Sequence, residues 1–162
     1  MIGEPVEIIE GHCGGEYTNI YPIMSDPPNG PEVYCEKLDE EISIIESNLL
    51  GYLGDLLNKY YCREIQLDKD NRTFDMFDSY GDTYYLPDQI RSVLSELSDF
   101  IEVVANNPFD PLYVDYFKNN ECNNTIPHEA AVIVDFYTRF IARMEKMLQN
   151  MDGYDLILFN GP

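Results

Sequence analysis

Basic residues are scarce in this chain. Ten Lys and Arg stand against 30 Asp and Glu, for a formal net charge of −20, and none of the ten falls within the first 36 residues. That balance excludes a nucleic-acid binder of the ordinary electrostatic kind, because phosphate attraction requires Lys and Arg. It equally disfavours an anionic membrane surface. Tryptophan is absent and histidine is limited to His12 and His128, which excludes a His-rich metal centre. The four cysteines, Cys13, Cys35, Cys62 and Cys122, are scattered with no CxxC pair, so neither a zinc ribbon nor a small disulfide framework is indicated. Neither GxxxxGK nor GxGxxG occurs, which removes the usual support for a nucleotide cofactor, and no cofactor is expected. No apolar run reaches membrane-spanning length, and Glu4, Glu7 and Glu10 interrupt the early apolar stretch that a secretory signal would need intact. A cytoplasmic location is the expectation.

What is present is the composition of a globular protein. Hydrophobic residues make up 44% of 162, and Gly and Pro number ten each. One domain over residues 1–162 is expected, with residues 1–30 as a glycine- and proline-rich extended section. A folded monomer of this size exposes roughly 8,000 Å², so the net charge alone amounts to one unit per about 400 Å².

Hydrophobic spacing divides the chain. Val6 to Ile9 and Tyr17 to Met24 are short apolar segments separated by Gly11, Gly14 and Gly15, which read as strands or extended pieces. From Pro31 to Tyr60 apolar residues, among them Leu38, Ile42, Ile45, Leu49, Leu53 and Leu56, recur at three- and four-residue steps. This predicts one helix about 45 Å long, kinked at Gly51 and Gly54 or closely approached there. Tyr61 to Leu67 and Arg72 to Phe77 flank a turn-forming segment and suggest a β-hairpin, with Thr83 to Leu86 a candidate third strand. Pro87 opens a second helix with Ile90, Val93, Leu94, Leu97, Phe100, Ile101 and Val104 on one face. Asp110 as cap and Pro111 after it start a short helix through Phe117 or Lys118, and a last long helix runs from about Pro127 to Met151. An apolar tail, Tyr154 to Phe159, reads as a closing strand. The expected fold is therefore α+β and mainly helical, with three long helices and one short one packed on an antiparallel sheet of two to four strands. An all-α bundle with residues 62–86 irregular is the alternative.

Catalytic patterns are few. Gly11-His12-Cys13-Gly14-Gly15 copies the glycine-flanked nucleophile elbow, which makes a hydrolase using Cys13 and His128 one alternative. Its proper context is a strand before and a helix after, and Glu16 to Pro22 is a poor helix. Asp68, Asp70 and Arg72 begin like a calcium loop, but Thr73 and Ser79 stand where glycine and glutamate belong, so no metal site is read there. No catalytic, cofactor or metal residues are assigned.

The distinctive stretch runs from Phe74 to Tyr116, where Arg91 is the only basic residue among many carboxylates and five interleaved tyrosines. Tyrosine presents a large rigid face with a hydroxyl, while rim carboxylates draw in a basic partner. The candidate partner-binding residues are Asp75, Asp78, Tyr80, Asp82, Tyr84, Tyr85 and Asp88, although strand alternation would turn one of Tyr84 and Tyr85 inward. This acidic loop with its Tyr84-Tyr85 pair resembles the binding surfaces of bacterial immunity proteins that block nuclease toxins, a likeness of composition over a few residues that carries no residue roles. The expectation is a non-enzymatic acidic binding protein, monomeric or weakly dimeric, that neutralises a basic protein partner, most concretely as an immunity or antitoxin-type inhibitor. The same composition also suits a DNA-mimic inhibitor of DNA-binding enzymes, or an accessory or scaffold subunit of a larger assembly.

Overall fold

The computed structural model describes residues 8–10, 17–25, 33–34, 42–45, 51–61, 77, 81–117 and 126–161. Along the chain these form β1 (Ile8–Glu10), β2 (Tyr17–Ser25), β3 (Val33–Tyr34), β4 (Ile42–Ile45), α1 (Tyr52–Tyr60), β5 (Asp82–Tyr85), α2 (Pro87–Asn106), α3 (Pro111–Phe117), α4 (Ile126–Gln149) and β6 (Leu156–Asn160). The strands are antiparallel in the order β1-β4-β2-β6-β5, and β3 pairs with the far end of β2. The fold is α+β and mostly helical, and the sheet excludes the all-α alternative.

β6, the last element of the chain, lies inside the sheet between β2 and β5. Its run Leu156-Ile157-Leu158-Phe159 is apolar at every position because both faces of the strand are covered. Ile157 and Phe159 join Ile20, Ile42, Ile44 and Tyr85 in the main core with the helices, while Leu156 and Leu158 join Ile23 in a second cluster, with Tyr21 and Tyr84 packed against it. The two sets alternate along each strand, as the pleat demands.

The helices follow their apolar stripes. On α2, Ile90, Val93, Leu94, Leu97, Phe100 and Val104 are buried, and on α4 Phe136, Tyr137, Phe140, Met144 and Met147 are buried. Phe100 stacks on Tyr52 of α1 at 4.0 Å between centroids. The Tyr137 hydroxyl accepts from the Leu53 N–H, 3.3 Å away, so α4 satisfies a donor at the start of α1 that Gly51 has no side chain to cap. At the start of α3 the Asp110 carboxylate accepts from the Leu112 N–H at 3.0 Å, as its place before Pro111 predicts. Gly153, with φ 86°, follows the end of α4.

The segment read as one helix from Pro31 to Tyr60 is corrected. Within it Val33–Tyr34 and Ile42–Ile45 are strands, and only the nine residues Tyr52–Tyr60 are helical. Ile42 and Ile44 lie on one face of β4, opposite Ile20 and Thr18 of β2, so the spacing there serves a period of two. Gly51 neither kinks a helix nor lies within one: its φ of 77° and ψ of −142° end any helical path, and α1 begins after it. With β3 and β4, the described residues hold six strands where two to four are expected. The hairpin predicted between Tyr61 and Phe77 lies outside the described residues except at its two ends.

Candidate functional site

The β5 to α2 junction carries the described part of the predicted partner face. β5 is a four-residue strand with alternating burial, so Thr83 and Tyr85 point into the main core while Asp82 and Tyr84 take the opposite face. Asp82 is exposed, and its Oδ1 accepts from the Asn160 Nδ2 at 2.5 Å across the strand pair. Tyr84 is half-buried against Ile23, Leu156 and Leu158.

Tyr85 is withdrawn from the predicted face. It is 0% exposed, its ring lies 4.9 Å from that of Phe159, and its hydroxyl donates to the Leu57 carbonyl at 2.7 Å. Burial, and secondarily the neighbouring Tyr61, holds its phenol well above the ordinary value, so it remains a neutral donor inside the core. The alternation of a half-buried strand explains why only one of the two adjacent tyrosines faces outward.

Leu86 caps α2 and Pro87 opens it, with fixed φ and no N–H to satisfy. Gln89 reaches back with Oε1 to accept from the Leu86 N–H at 2.8 Å, and its Nε2 donates to the Tyr61 carbonyl at 3.3 Å, tying the helix start to the end of α1. Asp88 stands in the first turn, where a carboxylate is favoured by the helix dipole, and accepts from Arg91 Nη1 at 2.6 Å. Its side chain is 92% exposed. Asp82 and Asp88 are thus presented to solvent from two rigid elements. Asp75, Asp78 and Tyr80 lie outside the described residues, as do Cys13 and the side chain of His128.

Lys59 pairs with Glu96 at 2.8 Å, Arg91 with Asp88, and Arg139 with Asp135 at 3.1 Å, the last an i,i+4 pair on the exposed side of α4. The hydrogen bond from Lys59 to Glu96 lowers the glutamate pKa and raises that of the lysine, so both remain charged through neutral pH. Asp99, Glu102, Glu145, Asp152 and Asp155 are exposed on α2, α4 and the turn into β6.

Two features escape the sequence reading. A groove of about 790 Å³ runs between α2 and α4, with Leu94, Ile141 and Leu148 along it and Arg91, Asp99 and Glu145 among its polar residues. At the α2–α3 corner, Phe109 is 60% exposed, Leu112 41% and Val103 37%. Neither belongs to a periodic pattern: the groove depends on how two helices pack, and an apolar residue next to a cap reads in sequence as a helix-start signal.

Among the described residues no group of three or more His, Cys, Asp or Glu is placed to hold a metal ion, and no helix is long and apolar enough to cross a membrane. Comparison with protein-family models, with curated proteins and with solved structures finds no match.

Proposed function

We propose that this chain is a non-enzymatic, cytoplasmic acidic binding protein that neutralises a basic protein partner, in the manner of an immunity or antitoxin-type inhibitor. The observation that carries the reading is where the charge lies. Asp82, Asp88, Asp99, Glu102, Asp152 and Asp155 are exposed on described elements, while Lys59, Arg91 and Arg139 are each engaged by a carboxylate of this same chain. On the described elements these carboxylates therefore face outward, and these three cations are already paired within the chain. Such a surface steers a basic protein to rapid encounter and repels anionic polymers. Asp82 and Asp88 are displayed from a paired strand and a capped helix, where Asn160 and Arg91 are the partners a basic protein would displace.

The test is inhibition. The protein is assayed against the purified products of the genes beside its own and against several unrelated DNA-binding enzymes. The reading predicts stoichiometric inhibition of one basic protein and no effect on the unrelated enzymes. Inhibition across the unrelated set indicates a DNA mimic instead, and inhibition of none contradicts the proposal.

A further inference from the structure

Exposed carboxylates occur on α2, α4 and the turn into β6 alike, so charge alone names no contact face, but the apolar residues at the α2–α3 corner do. Val103 lies on the last turn of α2, Phe109 in the connecting turn and Leu112 on the first turn of α3. All three are more than a third exposed, and Phe109 more than half. The connection itself is ordered: the Asn107 N–H donates to the Val103 carbonyl at 2.9 Å, the Phe109 N–H to the Asn107 side chain at 3.2 Å, and the Asp110 N–H to the Asn107 carbonyl at 3.0 Å. The three side chains are therefore displayed from fixed backbone.

Local structure does not account for Phe109. It precedes the Asp110 cap, the position from which an apolar residue can staple onto the fourth residue of a helix, here Val114. A closed staple covers the ring, whereas 60% of Phe109 remains in water. The charges nearby are equally uncalled for by helix stability. Asp99 and Glu102 lie in the C-terminal half of α2, which has no basic residue in its last turn, so they stand toward the end where the helix dipole favours cations. Exposed apolar residues at the end of one helix and the start of the next, with carboxylates at 99 and 102 on the turn of α2 that leads to Val103, match the anatomy of a protein interface: an apolar centre that excludes water and a polar rim that selects the partner.

We infer that the α2–α3 corner is a docking face for a basic protein, with Phe109 inserting into an apolar pocket of that partner and Asp99 and Glu102 meeting its Lys and Arg. The occupant follows from charge complementarity. No basic residue occurs between Arg91 and Lys118, and a second copy of a chain carrying −20 is repelled from this face. The inference rests on the reading of the protein as an acidic inhibitor and moves its apolar anchor away from the β5–α2 junction.

Site-specific photocrosslinking tests it in cells producing the full chain. Benzoylphenylalanine is placed in turn at exposed positions 112, 88 and 152, and adducts are identified by mass spectrometry. The expected result is one adduct from position 112, with a protein rich in Lys and Arg, absent from position 152. Its yield falls at least tenfold with Phe109→Ser and again with Asp99→Lys combined with Glu102→Lys, while circular dichroism remains unchanged. An adduct from position 88 alone overturns this face and leaves the inhibitor reading standing. An adduct of the chain with itself, or a yield indifferent to Phe109→Ser, also overturns the inference. No basic adduct from any position overturns this face, and the inhibition assay then decides the inhibitor reading separately.

Discussion

Tyr84 and Tyr85 are neighbours of identical chemistry, and one residue of strand register decides that the first rests at the surface and the second lies in the core. The adjacency is legible in the sequence, but which of the two turns inward depends on pairing with β6, a strand more than seventy residues away. Tyr85→Phe removes the donor to the Leu57 carbonyl and leaves that acceptor buried, at an expected loss of about 1–3 kcal/mol in urea unfolding. Alkaline titration gives a second reading. Burial raises the folded-state pKa of Tyr85 above that of an unfolded tyrosine near 10, so its contribution is complete below that pH and is lost as pH rises toward the folded value. The wild type should therefore lose stability more steeply above about pH 10 than Tyr85→Phe does, at up to roughly 1.4 kcal/mol per pH unit of difference.

At the scale of elements, the sequence places the starts of α2 and α3 at Pro87 and Pro111 and both ends of α4 to within two residues, because capping signals and apolar stripes agree there. It misplaces the segment before α1. Ile42, Ile44 and Ile45 satisfy helical and strand spacing alike, and pairing with β2, a tertiary fact, chooses between them. Gly51 distinguishes the two accounts by sign. A glycine inside a helix gains about 0.8–1 kcal/mol on replacement by alanine. At a φ of 77° and ψ of −142°, with open space around the site, Gly51→Ala should instead cost roughly 1–3 kcal/mol from backbone strain alone. β6 allows a parallel test. Because Ile157 and Leu158 are both buried, on opposite faces, truncation of either to alanine should cost about 2–5 kcal/mol. A near-neutral Leu158→Ala in thermal unfolding would show that the second face of the sheet is open.

For the whole molecule the governing quantity is the charge of −20. Uniform self-repulsion disfavours the compact state, and raising ionic strength from 0.01 to 0.15 M shortens the screening length from about 30 to about 8 Å. The midpoint of thermal unfolding should accordingly rise across that range; a flat response would mean that local ion pairs already balance the field. At this scale the sequence offers an acidic, tyrosine-rich stretch, of which Asp82 and Asp88 are exposed and Tyr85 is buried. The apolar corner at Phe109 is not legible there, since exposure is a property of the assembled surface.

The most direct test of the acidic-inhibitor account is calorimetric titration of the protein into the basic product of a neighbouring gene at low and at high salt, about 0.05 and about 0.3 M, where the screening length differs more than twofold. The account predicts a one-to-one complex whose affinity falls at the higher salt and falls further on charge reversal at Asp82 and Asp88. Absence of binding by every basic candidate at low salt, or an affinity indifferent to both salt and charge reversal, would contradict it.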